Sequence, residues 1–136
     1  MFKLVKILGG RINHGEPRML EVPGVEKTIA AETPVAIVGG YVLPADGELE
    51  EPITHILDAD AKAGASSIRV VDLLPGMVFM TTLTDNIDEY NIGTEYIINN
   101  GGISAIPVAT RGCGAVLYDW LRGEEENKVL VTFRAI

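Results

Sequence analysis

Short β-prone runs, each ended by residues that turn the chain, recur along nearly the whole sequence and leave no stretch for a long amphipathic helix. The runs fall at Phe2–Leu8, Arg18–Val22, Pro34–Val38, Tyr41–Leu43, Ile53–Leu57, Ser67–Leu73, Met77–Leu83, Tyr96–Asn99, Ile103–Ile106, Ala115–Trp120 and Lys128–Ile136. Between them stand Pro23-Gly24, Gly39-Gly40, Asp46-Gly47, Pro75-Gly76 and Gly112 to Gly114, residues that turn the chain at little steric cost. Period-two alternation is plainest in the last run, where Val129, Val131, Phe133 and Ala135 share one face and Lys128, Thr132 and Arg134 the other. Asn100, Gly101 and Gly102 separate two runs in the pattern of a tight hairpin. The one helical candidate is Asp58 to Ala65, with Asp58 as its cap. This pattern predicts an all-β chain, a small β-barrel or β-tulip-like sandwich with at most one short helix. It argues against βαβ units and the dinucleotide crevice they create.

At 136 residues the chain fits a single domain with a core of its own. Residues 1–18 are expected to form an N-terminal strand or an extended arm, and residues 19–136 one β domain. With Cys113 alone, no internal disulfide can form. The apolar stretch Pro34 to Ala45 is broken by Gly39 and Gly40 and is shorter than the roughly 18 residues a spanning helix requires, so no membrane partner is expected. Met1 to Leu8 alternates lysine with apolar residues and does not resemble a secretory signal. A net charge of -8 repels phosphate backbones, so nucleic acid is not an expected partner.

Charge is unevenly placed. Lys3, Lys6, Arg11 and Arg18 face only Glu16 within the first 18 residues, which puts a basic, apolar segment on an acidic body and suits it to steering toward an acidic surface. The composition is also rich in apolar residues, at 47%. Met77 to Leu83 carries Met77 and Phe79 on one face and Val78 and Met80 on the other, whereas a two-sheet domain buries one face of each strand. A short helix, a loop or a neighbouring subunit must cover the second face.

Residues with chemical potential are few. His14 and His55 lack a second histidine or cysteine at ligand spacing. Cys113, in Arg111-Gly112-Cys113-Gly114, has a cation nearby of the kind that activates a thiolate, but glycines on both sides read equally as a bend that admits a small side chain. Glu48, Glu50 and Glu51, Asp85, Asp88 and Glu89, and Glu124 to Glu126 form acidic clusters in turn-rich stretches. The middle cluster lacks the ligand order of a calcium loop. Gly9-Gly10 and Gly39-Gly40 are not phosphate loops. No catalytic residue, metal or cofactor is expected.

From Leu74 onward, the order Leu74-Pro75-Gly76-Met77-Val78-Phe79, a polar loop, Asn91-Ile92-Gly93-Thr94, the Tyr96 to Ile106 hairpin, a glycine-rich bend and Val129-Leu130-Val131-Thr132-Phe133-Arg134 resembles the β-barrel or β-tulip part of tailed-bacteriophage capsid decoration proteins, also called cement or auxiliary head proteins. The resemblance covers about the C-terminal half. It implies a non-enzymatic structural protein of the virion, placed on the outer capsid surface after assembly in the host cytoplasm, with the major capsid protein as partner and a trimeric or dimeric homo-oligomer as the working form. It also implies an N-terminal segment that adds a strand to the shell protein, which in this sequence assigns protein binding to Phe2, Lys3, Leu4, Val5, Lys6, Ile7 and Arg11. The alternative is a small β-barrel module that binds a ligand or carbohydrate, for which Tyr90, Tyr96, Tyr118 and Trp120 are the available aromatics. An enzyme built around Cys113 or His55 is a third reading.

Overall fold

A computed structural model describes residues 2–8, 16–121 and 127–133 of the chain. The fold is all-β. Among the described residues eleven strands run in the order β1 (Lys3–Ile7), β2 (Arg18–Glu21), β3 (Pro34–Val38), β4 (Tyr41–Pro44), β5 (His55–Leu57), β6 (Ser67–Asp72), β7 (Met77–Thr82), β8 (Glu95–Asn99), β9 (Gly102–Pro107), β10 (Ala115–Trp120) and β11 (Lys128–Thr132). A six-stranded sheet has the order β1-β7-β11-β10-β8-β9, and a five-stranded sheet has the order β2-β6-β5-β3-β4. Every strand pairing is antiparallel. The sheets stay open and pack face to face, so the architecture is a sandwich and the closed-barrel alternative does not hold.

Period two fixes which side chains fill the space between the sheets. Met77 and Phe79 of β7, Val129 and Val131 of β11, Leu117 of β10, and Tyr96 and Ile98 of β8 meet Ile56 and Val71 of the smaller sheet. Phe79 lies edge-on to Phe133 at 5.3 Å between ring centres, and Phe2 follows at 5.7 Å from Phe133. Few aromatics are needed because these three are contiguous.

The smaller sheet is apolar on its second face as well, and a loop layer covers it. Val22, Val25 and Ile29 lie with Ala61 over Val35, Leu57, Ile68 and Val70 in a separate buried cluster. Residues 58–65 belong to this layer, which corrects the helical expectation. Ala61 and Ile29 exchange backbone hydrogen bonds at 2.8 Å, and Asp60 accepts from the Ala31 N–H at 2.8 Å. Asp58, the supposed cap, instead pairs with Arg69 at 2.8 Å. The two hydrogen-bonding groups of Ala61 are spent on a distant segment and cannot serve an α-helix. A 3-10 turn spans Ile87–Glu89, capped by Asn86, and no α-helix occurs among the described residues.

The β8–β9 hairpin is tighter than the sequence suggested. Asn99 pairs with Gly102, so the turn is Asn100-Gly101 alone, and both turn residues have positive φ, 53° and 77°, as the two-residue turn that follows strand twist requires.

Among the described residues one buried side-chain group has no hydrogen-bond partner. The hydroxyl of Thr81 is buried and unbonded, and a hydroxyl in that state costs about 1–3 kcal/mol. Thr81→Val keeps the shape and removes the hydroxyl, so it should raise unfolding free energy by about 1 kcal/mol, read as a higher urea midpoint with an unchanged m-value.

Candidate partner-binding surface

The first strand is where charge and sequence pattern directed attention, and its backbone departs from simple alternation. The register of β1 against β7 runs Lys3 with Met80, Leu4 with Phe79, Lys6 with Val78 and Ile7 with Met77, with a bulge between Leu4 and Lys6. One extra residue, Val5, is accommodated there. Leu4 and Ile7 therefore both turn inward and pack on the core, while Lys3, Val5 and Lys6 stay exposed. Phe2 is buried at 1% exposure, and its N–H donates to the Glu32 carbonyl at 3.1 Å. The expected contact set thus divides. Phe2, Leu4 and Ile7 serve the protein's own core, Lys3, Val5 and Lys6 face outward, and Arg11 lies outside the described residues.

The outward group continues across the outer face of the large sheet. Met80 and Leu130 are register partners beside Lys3, half-buried and on the face away from the core. Lys6 Nζ lies 5.7 Å from the ring centre of Tyr118 on β10, although β7 and β11 stand between the two strands. Lysine stem and tyrosine ring reach toward each other over Val78, which is fully buried on this outer side. This answers, for β7, how a strand with two apolar faces is accommodated. Among the described residues neither Lys3 nor Lys6 joins an ion pair. The result is a strip of exposed Lys3, Val5, Lys6 and Tyr118 over half-buried Met80 and Leu130 on a molecule whose net charge is -8.

The far half of the same face is closed. Glu95, the register partner of Val116, is buried beneath the bend that joins β9 to β10, and its Oε2 accepts from the N–H groups of Gly112 and Gly114 at 2.9 Å each. A carboxylate receiving two backbone donors holds that bend against the sheet. Nothing in the order of residues pointed to Glu95, because its partners lie 17 and 19 positions away.

No family model, curated protein or solved structure matches the chain.

His55 sits in a polar cluster on the outer face of the smaller sheet. Pairing of β2, β6 and β5 brings Arg18, Asp72 and His55 together. Arg18 grips Asp72 through two bonds of 2.7 and 2.8 Å, His55 Nε2 lies 2.9 Å from Asp72 Oδ1, and the Thr54 hydroxyl lies 2.6 Å from His55 Nδ1. A hydroxyl, imidazole and carboxylate in a row invites comparison with a nucleophilic triad. Here Arg18 already neutralises the carboxylate, and none of the four clefts described in the protein is lined by these residues. The arrangement can tie the edge strand β2 to its sheet.

Its electrostatics make a testable pH dependence. Burial pushes the His55 imidazole below its ordinary 6.5, opposed by the charge of Asp72 and reinforced by Arg18. The Arg18 hydrogen bond holds the Asp72 carboxyl below 3.8. In both cases the unfolded chain takes up the proton first as pH falls. Stability should therefore decline from pH 6.5 toward the folded value of His55, and decline again below pH 3.8. His55→Asn should flatten the first step and leave the second, as followed by thermal melts across pH; an identical profile would show that His55 is not its source.

The remaining candidates are absorbed by structure. Cys113 is 3% exposed, and burial raises its thiol above 9.0, with Glu95 and Glu51 adding to the effect. Arg111 therefore does not activate it. Asp85 Oδ2 accepts from the Ala105 N–H at 2.8 Å, Asp88 and Glu89 lie in the 3-10 turn, and no cluster able to hold a metal occurs among the described residues. His14 and Glu124 to Glu126 lie outside them. The four aromatics do not form a platform. Tyr90 and Tyr96 stack edge-to-face at 5.0 Å inside the core, with hydroxyls bonded to the Ile103 carbonyl and the Asn91 N–H, while Tyr118 lies on the outer face and Trp120 packs against the core from β10.

Proposed function

We propose that this protein is a non-catalytic capsid decoration protein, which binds the outer surface of a phage shell and stabilises the head by bridging capsomers. The observation that carries the reading is the basic, apolar strip of Lys3, Val5, Lys6 and Tyr118 on an otherwise acidic molecule. The likeness of residues 74–134 to the strand and turn order of such proteins supplies the identity of the partner. An exposed lysine pair over apolar ground fits an acidic protein surface, through rapid electrostatic encounter and apolar contact after docking. Contacts available only on the mature shell would stabilise that state by mass action. Repetition over a lattice would turn modest single-site affinity into avidity.

Lys3→Glu together with Lys6→Glu tests the reading, because both side chains are exposed and outside the core. Co-sedimentation with expanded shells of the major capsid protein should fall at least about tenfold, and wild-type binding should weaken as salt is raised. Binding that ignores both the charge reversal and the salt would remove this surface from the account.

A further inference from the structure

Each open sheet has two edges, and an edge with free N–H and C=O groups invites another strand unless something guards it. Three of the four edges here are guarded. β1 carries Lys3, Lys6 and a bulge. β2 carries Arg18 and Glu21, with Arg18 locked to Asp72. β9 is covered by residues 83–85, since Thr84 N–H donates to the Ile103 carbonyl and Ala105 N–H donates to Asp85. β4 is different. Its sequence, Tyr41-Val42-Leu43-Pro44, has no charge, and Tyr41 and Leu43 are 54% and 37% exposed.

The free groups on β4 can be located from its hairpin. Gly39 and Gly40 both have positive φ, 57° and 84°, and β3 pairs Val38 with Tyr41, Ile37 with Val42 and Ala36 with Leu43. In a two-residue hairpin the closing pair is hydrogen-bonded and bonded pairs alternate from there. Val38–Tyr41 and Ala36–Leu43 are therefore bonded, and both backbone groups of Val42 point away from the sheet. Val42 makes no other backbone hydrogen bond among the described residues.

We infer that β4 pairs antiparallel with β4 of a second copy about a two-fold axis at Val42, joining two five-stranded sheets into one. The register is self-complementary. Val42 meets Val42 and exchanges two N–H···O bonds. Tyr41 of each copy lies opposite Leu43 of the other on one face, an aromatic–aliphatic cross-strand pair made twice. Pro44, which has no N–H to offer, falls at the margin opposite Gly40. On a chain of charge -8, an edge strand whose own residues carry no charge adds no like-charge pair across the seam. A depression of about 280 Å³ beside β4, lined by Val38, Tyr41, Val42 and Leu43 with Glu26 as its one charged side chain, receives apolar groups of the incoming strand. The inference does not depend on the shell-binding reading, since β1 and β4 belong to different sheets.

Sedimentation of the full chain should give twice the 14.6 kDa monomer mass. Val42→Pro removes the outward N–H at an edge position that tolerates proline, and Tyr41→Lys with Leu43→Lys places charges opposite one another. Both variants should sediment as monomers with wild-type circular dichroism, and the Val42 amide of the wild type should exchange at least tenfold faster after dilution to monomer. A monomeric wild type, a trimer, which two-fold pairing cannot close, or a dimer that survives both variants would each overturn the inference. Shell binding that fails while the dimer persists would count against the proposed function and leave the dimer standing.

Discussion

Phe2→Ala should cost about 3–5 kcal/mol of folding stability, visible as a large drop in urea midpoint, although the residue is second in the chain. The ring is buried against Phe133 and lines two furrows between the sheets, one of about 310 Å³ and one of about 360 Å³. Furrow walls already lack partner atoms on one side, so the lost ring would merge two partial voids, and a void of that size cannot be closed by small side-chain movements. Its N–H to the Glu32 carbonyl also anchors the strap that donates Glu32 N–H to the Leu57 carbonyl at 2.8 Å. Removing the first eight residues should do the same or more and expose Met77 and Phe79. A protein that stayed as stable without them, yet lost its partner, would return the whole segment to the role of a free arm.

Glu95→Ala ranks beside it, with an expected loss of about 2–5 kcal/mol. The carboxylate receives the N–H groups of Gly112 and Gly114 in a buried site, and alanine leaves both donors without a partner where water is excluded. Glu95→Gln keeps an acceptor at the same place and should recover part of the loss. The pair of variants separates lost hydrogen bonding from lost volume, read by equilibrium unfolding and by faster exchange of the two glycine amides. Equal, small effects from both would mean that the bend holds itself.

The strands were legible because their cause is local. Each of the eleven β-prone runs overlaps one, since alternation, β-branching and turn residues act over a few positions. What escaped was set by distant partners. Ala61 and Ala65 have helical spacing, but Ile29 and Val25 claim their surroundings from more than thirty residues away. The same applies to Val22, Val25 and Ile29, whose three-and-four spacing carries no strand alternation and which form the layer over the second sheet. At the candidate surface, Lys3 and Lys6 were evident from charge, whereas the separation of Leu4 and Ile7 from Val5 depended on a bulge that only pairing with β7 imposes. The Arg18, His55 and Asp72 cluster was invisible for a related reason, because three strands must pair before those side chains become neighbours.

The middle strand of one half of the large sheet, β7, is flanked by β1 and β11, which lie far apart in sequence. Phe2 and Phe79 precede Phe133 by a long stretch of chain, so the aromatic trio stays incomplete until that stretch has been made. Such distant closure is slow, and until it happens Phe79 and its neighbours are available to the wrong chains. Yield in cells should therefore depend on how quickly β11 reaches β7, and a product that stalls before β11 is made is the form that aggregates.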